Sequence, residues 1–186
     1  MKLDKDNEIE FCQEYKYMYL GVIFDTSGTD DKEIRSRVIQ ARKCIAYLNG
    51  IVWSNDIRKE RKLNICNALI KSSLLYGAET WRLTENNKRR VEATEMDTLR
   101  RSSRISRKDR IRKVTIRQQT GLEETIIKEI EQNQLTSYGH VQRMAKGRVP
   151  KIAMKWMPKQ KTARGRPKKI WMEGIKKAME SRCWTT

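Results

Sequence analysis

The sequence predicts a mainly α fold with a short N-terminal β-hairpin, an α+β arrangement that ends in a basic, partly disordered C-terminal segment. Three observations carry this. Lys16 to Phe24 is the most apolar and aromatic-rich run of the chain, and Tyr, Val, Ile and Phe favour a pleated, half-buried strand. From Asp31 onward the apolar residues recur with a helical period. Between Lys146 and Lys169, Gly, Pro and Lys/Arg dominate, a composition that cannot bury enough apolar surface to offset chain ordering.

The elements follow in order. Ile9–Glu10–Phe11 alternates and pairs in this reading with a strand over Tyr17–Phe24, Cys12 to Lys16 supplying the turn. Gly21 interrupts that strand and marks a bulge, tight bend or close backbone approach. A two-stranded ribbon is marginal alone, which fits a chain cut from a larger protein. Asp25 to Asp31 is polar and reads as a loop. A helix over Asp31 to Leu48 is capped by Asp30 or Asp31, with Glu33 in its first turn. Its stripe is Ile34, Val38, Ala41, Ile45 and Leu48, while Arg35, Arg37, Arg42 and Lys43 lie off it. Asn49–Gly50 stops it, and Ile51 to Trp53 is a short apolar link. A second helix begins at Asn55 or Asp56 and runs to about Ala78 or Trp81, with Leu63, Cys66, Ile70, Leu74 and Gly77 as its stripe. Lys62 is read as a surface position.

Thr84 opens a third helix with Val91 and Leu99 on a weak stripe. Arg110 to Gln118 and Leu122 to Gln134 read as short helices broken at Gly121. Tyr138 to Ala145 adds a turn or two, and a tail helix covers Ile170 to Met179. The resulting segments are 1–30 (hairpin and loop), 31–83 (helix pair), 84–145 (basic helical region) and 146–186 (basic tail with a short terminal helix).

The chain has 41 Lys+Arg against 23 Asp+Glu, a net charge of +18. Lys88 to Arg117 holds twelve cations and four acids, net +8, and Arg143 to Lys169 holds eleven cations and no acid. The rest of the chain nets −1. Two basic blocks on an otherwise balanced chain point to a polyanion, DNA or RNA. Cys12, Cys44, Cys66 and Cys183 show no zinc-type spacing and, with one His, support no Cys/His cluster. The scattered cysteines and polar N-terminus fit a reducing, intracellular compartment, the nucleus included. No apolar run reaches the roughly 18 residues of a membrane span, so no membrane partner is expected.

Five segments resemble a known family in the same order. They are Tyr17–Met18–Tyr19–Leu20–Gly21–Val22 and Leu74–Leu75–Tyr76–Gly77–Ala78–Glu79–Thr80–Trp81. Next come Arg104–Ile105–Ser106 with Asp109–Arg110–Ile111–Arg112, and Tyr138–Gly139–His140–Val141–Gln142–Arg143–Met144. The last is Arg164–Gly165–Arg166–Pro167 with Trp171. Together they resemble the C-terminal region (post-palm, thumb and basic tail) of a non-LTR retrotransposon endonuclease/reverse transcriptase polyprotein. The resemblance implies a palm-edge hairpin, a thumb-like helical bundle and an RNA-directed DNA polymerase as parent. It also implies that the turn Tyr17, Tyr19, Leu20, Gly21 lies near the primer end, and that the missing palm and fingers are partners. Where the family carries bulky apolar residues this chain has Asp97, Ser102, Ser103 and Arg107, which removes core contacts from the third helix.

A polymerase palm gathers carboxylates around two divalent metals. In the family one pair sits in an aromatic-x-Asp-Asp hairpin, and nothing here matches it. Asp30–Asp31, the adjacent pair, reads as loop and helix cap. The chain is therefore expected to be no enzyme by itself, with no catalytic residue, metal or cofactor, although the parent polymerase would need Mg. His140 reads as a helix-surface or packing residue.

The expected nucleic-acid contacts are Arg143, Lys146, Arg148 and Lys151, then Arg164, Gly165, Arg166, Pro167, Lys168 and Lys169. Gly lets the backbone approach a groove floor and Pro blocks a helix. Flanking Arg side chains can then enter a narrow A·T minor groove, as in an AT-hook, or clamp phosphates without sequence choice. Trp156, Trp171 and Trp184 can stack on bases, or Trp171 can pack on the tail helix. The alternative function is a free-standing DNA- or chromatin-binding adaptor using this tail.

Overall fold

The computed structural model describes residues 16–25, 28–122, 124–155 and 171–183. Its one sheet among these is an antiparallel hairpin of β1 (Lys16–Tyr19) and β2 (Val22–Asp25), with Tyr19 opposite Val22. The expected single strand over Tyr17–Phe24 therefore folds back on itself. Leu20 and Gly21 both have positive φ, 49° and 76°, the combination a two-residue hairpin turn requires. Gly21 is thus a turn residue and not a bulge, and the expected partner strand Ile9–Phe11 lies outside the described residues.

Helix α1 (Asp31–Tyr47) buries Ile34, Val38, Ala41 and Ile45, the expected stripe. Asn49–Gly50 does not end the helical path. After a turn at Leu48 the chain forms α2 (Asn49–Trp53), which includes the expected link and buries Val52. The returning helix starts later than expected. It comprises α3 (Lys59–Ile65), a π-helical stretch (Cys66–Lys71) and α4 (Ser72–Leu75). Cys66, Ile70 and Leu74 are buried on it. Their four-residue spacing exceeds the about 3.6 residues of an α-turn and would drift around an α-helix. The wider π-turn cancels that drift and holds all three on one face.

Gly77, at φ 71°, ends this helix, and a 3-10 turn (Ala78–Thr80) delivers Trp81 to the core. Helix α5 (Glu85–Ser102) is capped by Thr84, whose hydroxyl accepts from the Asn87 amide. Its buried stripe is partly polar: Thr94, Thr98 and Ser102, the last expected to remove core contacts, are buried beside Val91 and Leu99. Each of these hydroxyls donates to a carbonyl of its own helix at 2.9–3.1 Å, so burial leaves no donor open.

A 3-10 turn (Arg107–Asp109) precedes α6 (Lys113–Thr120), which begins three residues after the expected start. The two short helices expected after Gly121 merge into one, α7 (Ile126–Arg143), which continues through Tyr138. Within the segment expected to lack a packed fold, α8 (Val149–Lys155) forms. The tail helix α9 (Trp171–Cys183) runs further than expected, burying Ile175 and Ala178; the expected start, Ile170, lies outside the described residues.

One apolar core joins α1, α2, the π-helical stretch, Leu74, Trp81, Leu83, Val91 and the first turns of α7. A smaller cluster of Met96, Leu99 and Ile116 gathers Leu63, Ile105, Ile111 and Leu122. Leu74 is 1 % exposed, so Leu74→Ala should cost about 2–5 kcal/mol through lost burial and the cavity left. Urea unfolding of this variant beside Lys43→Ala, an exposed change on α1, reads the difference. Equal midpoints would remove Leu74 from the core.

Candidate nucleic-acid interface

The hairpin turn is held from below by a buried ionic network. Glu33 and Arg37 on α1, one helical turn apart, pair at 2.6 Å (Arg37 Nε to Glu33 Oε1). Glu33 Oε2 accepts from the Ile23 amide at 2.7 Å, and Arg37 Nη2 donates to the Gly21 carbonyl at 2.6 Å. The Tyr76 hydroxyl donates to the Leu20 carbonyl at 2.8 Å, while the Arg37 guanidinium lies 4.5 Å from the Tyr76 ring centroid. Both turn carbonyls are thus tied to the helical body. Tyr17, Tyr19 and Leu20 face solvent. Arg37, expected off the apolar stripe, is only 8 % exposed: Gly21 and Tyr76 cover it from the hairpin side.

Asp30 and Asp31 are both hydrogen-bonded within the fold. Asp30 makes no side-chain cap. Its Oδ2 accepts from Arg82 N at 2.8 Å and Arg82 Nε at 3.0 Å. Asp31 Oδ1 accepts from Asn87 Nδ2 at 2.6 Å. The pair ties the start of α1 to the chain entering α5. Among the described residues no three His, Cys, Asp or Glu gather as a metal site, and no helix is long and apolar enough to cross a membrane.

The expected tail contacts separate into two sets. Arg143 ends α7 exposed, and Lys146 and Arg148 stand exposed in the turn that follows. Lys151 is engaged: its ammonium donates to the Gln142 carbonyl at 2.7 Å and the Met144 carbonyl at 2.8 Å, closing the end of α7 where a cation is favoured. Arg164, Gly165, Arg166, Pro167, Lys168 and Lys169 lie outside the described residues, as do Trp156 and Trp184. Trp171 packs: its Nε1 donates to the Glu79 carbonyl at 2.9 Å, and its ring lies 6.4 Å from Tyr138. His140 is exposed on α7.

Sequence reasoning missed Lys62. It is 1 % exposed, although it sits just beneath the surface. It extends the Cys66–Ile70–Leu74 series one step back at the same four-residue interval, and that interval was the available signal. Its ammonium donates to the Ser54 carbonyl at 2.5 Å. Desolvation holds its pKa below the ordinary 10.5, and the nearby Arg104 guanidinium lowers it further. Burial pushes the Cys66 thiol the other way, above its ordinary 9.0, against the pull of Lys62. No family model, no curated protein and no solved structure matches this chain.

Arg37→Met should strand the Glu33 carboxylate in a buried site and cost about 3–5 kcal/mol, with faster hydrogen exchange at the Ile23 amide. An unchanged urea midpoint would show that the network holds nothing. The Lys62 shift sets a pH dependence. A lowered folded pKa means the unfolded chain binds more protons between that value and 10.5, so stability rises with pH through this window. Subtracting the pH profile of Lys62→Met from that of the wild type should show this alkaline rise; a flat difference would contradict it.

Proposed function

We propose that this chain is a nucleic-acid-binding C-terminal fragment of a non-LTR retroelement reverse transcriptase, of RNA-directed DNA polymerase lineage, lacking the catalytic palm carboxylates. It binds polyanion and carries no polymerase chemistry of its own. The observation that carries this reading is the charge distribution: +8 and +11 in two blocks and −1 elsewhere. The ordered motif resemblance supplies the family. Two of the four acids of the first block are ion-paired, Glu95 with Arg117, and Asp97 with Arg101 and Arg107. Arg104, Lys108, Arg110, Arg112 and Lys113 stay exposed. The hairpin, with Tyr17, Met18, Tyr19 and Leu20 exposed, supports a partner role for the missing palm and fingers.

Cutting the chain before Arg143 would strip α9, whose Ile175 and Ala178 are buried, so the test removes charge from the full chain. Affinity for duplex DNA should fall with log salt at about −0.9 per phosphate contact. Changing Arg143, Lys146 and Arg148 together to Gln should flatten the slope by about 2–3. The double change Arg164→Ala with Arg166→Ala then separates two modes. Equal loss on A·T-rich and G·C-rich duplexes means a phosphate clamp; greater loss on A·T-rich DNA means minor-groove entry. If neither set weakens binding, the tail is not the interface.

A further inference from the structure

The sharpest unexplained feature lies where α3 meets the end of α5. Lys59, Lys62 and Arg104 line one open pocket with Ser103 and Gln119, and no carboxylate lines it. None of the three cations forms an ion pair among the described residues. Lys59 donates to the Gln119 carbonyl, which leaves its charge unneutralised. Lys62 spends one of its three N–H donors on Ser54. The Ser103 hydroxyl is buried without a partner.

The backbone at this place is strained as well. The Ile105 amide donates to the Arg100 carbonyl at 2.9 Å and the Arg104 amide to the Arg101 carbonyl at 3.0 Å. This is the pair of bonds that closes a helix through a left-handed residue, a position ordinarily filled by glycine. Here Arg104 occupies it, at φ 54°. Helix α6 ends with the same two bonds, Leu122 to Arg117 and Gly121 to Gln118, and there the left-handed residue is Gly121 at φ 68°. The fold thus has the glycine solution elsewhere, and at the pocket holds an arginine against its backbone preference, beside a buried ammonium. The clustered cations disfavour the empty state, and an oxyanion relieves their repulsion.

We propose that Lys59, Lys62 and Arg104 form a phosphate-binding pocket. Resting on the nucleic-acid reading above, its occupant is one backbone phosphodiester. The ammonium groups supply point charges, and the guanidinium fork fixes the orientation of a tetrahedral oxyanion.

The test uses the full chain near neutral pH, with inorganic phosphate against chloride at matched ionic strength. Phosphate should raise the melting temperature of the wild type increasingly with concentration. Lys62→Met and Arg104→Gly should each melt higher than wild type in chloride, because one removes a buried charge and the other a strained residue. Each should lose most of the phosphate response, while Lys43→Ala, exposed on α1, keeps it. Each should also weaken a short DNA duplex roughly eightfold at about 0.1 M salt, the worth of one contact at a slope of about 0.9. A wild type blind to phosphate, variants that still respond, or variants that melt lower in chloride overturn the pocket. Phosphate response lost with duplex affinity unchanged assigns the pocket to free phosphate and removes the backbone contact. A wild type that responds to phosphate but binds no duplex leaves the pocket standing and overturns the nucleic-acid reading.

Discussion

Burial of one face of α1 sets the terms for its neighbours. Ile34, Val38, Ala41 and Ile45 are each nearly sealed from solvent, and α4, the π-helical stretch, α2, α5 and β2 all pack on this helix. Sealing that face draws in the polar residues beside it. Glu33 and Arg37 go under with their apolar neighbours, and buried charges persist only when paired and hydrogen-bonded. They find each other and the backbone of the hairpin turn. A two-stranded ribbon too small to stand alone thereby acquires a fixed place on a helical body. Asp30 and Asp31 do the same at the start of the helix, with Arg82 and Asn87 as partners.

Several other described acids are engaged in such internal work. Glu95 joins Arg117 and accepts from the Ile126 amide at the start of α7. Glu131 meets Lys88, Glu129 meets Lys71, and Asp97 takes two arginines. Gln134, buried between α7 and the Trp81 loop, donates to the Trp81 carbonyl at 2.8 Å, a neutral solution to the same demand. Cations face solvent in the 104–113 turn, beside the exposed Asp109, and after α7. On the proposed function, this is the surface a polyanion would meet.

Much of the architecture was legible in the chain. Helical periodicity from Asp31, the Thr84 cap and the break at Gly121 are local properties, governed by spacing and by side chains within one turn. The boundaries that differed were decided by geometry over longer range. Leu20 and Gly21 turn because Arg37, Tyr76 and Glu33 hold the hairpin in place. Asn49–Gly50 stays helical in α2, where Val52 reaches the core. Trp171 packs because Glu79 and Tyr138 meet it.

The sequence by itself determined the amount and grouping of charge, the helical class and the lack of an aromatic-x-Asp-Asp motif, since composition and periodicity need no partner to be read. Only the tertiary structure decided which cations are buried, engaged or exposed. Lys62 and Lys43 are the same residue type, and each is next to an apolar stripe. One lines a pocket with Arg104 and Ser103 at a helix junction, the other faces water. The difference is desolvation and proximity between segments some forty residues apart in the chain, a quantity that exists only once α3 and α5 have met.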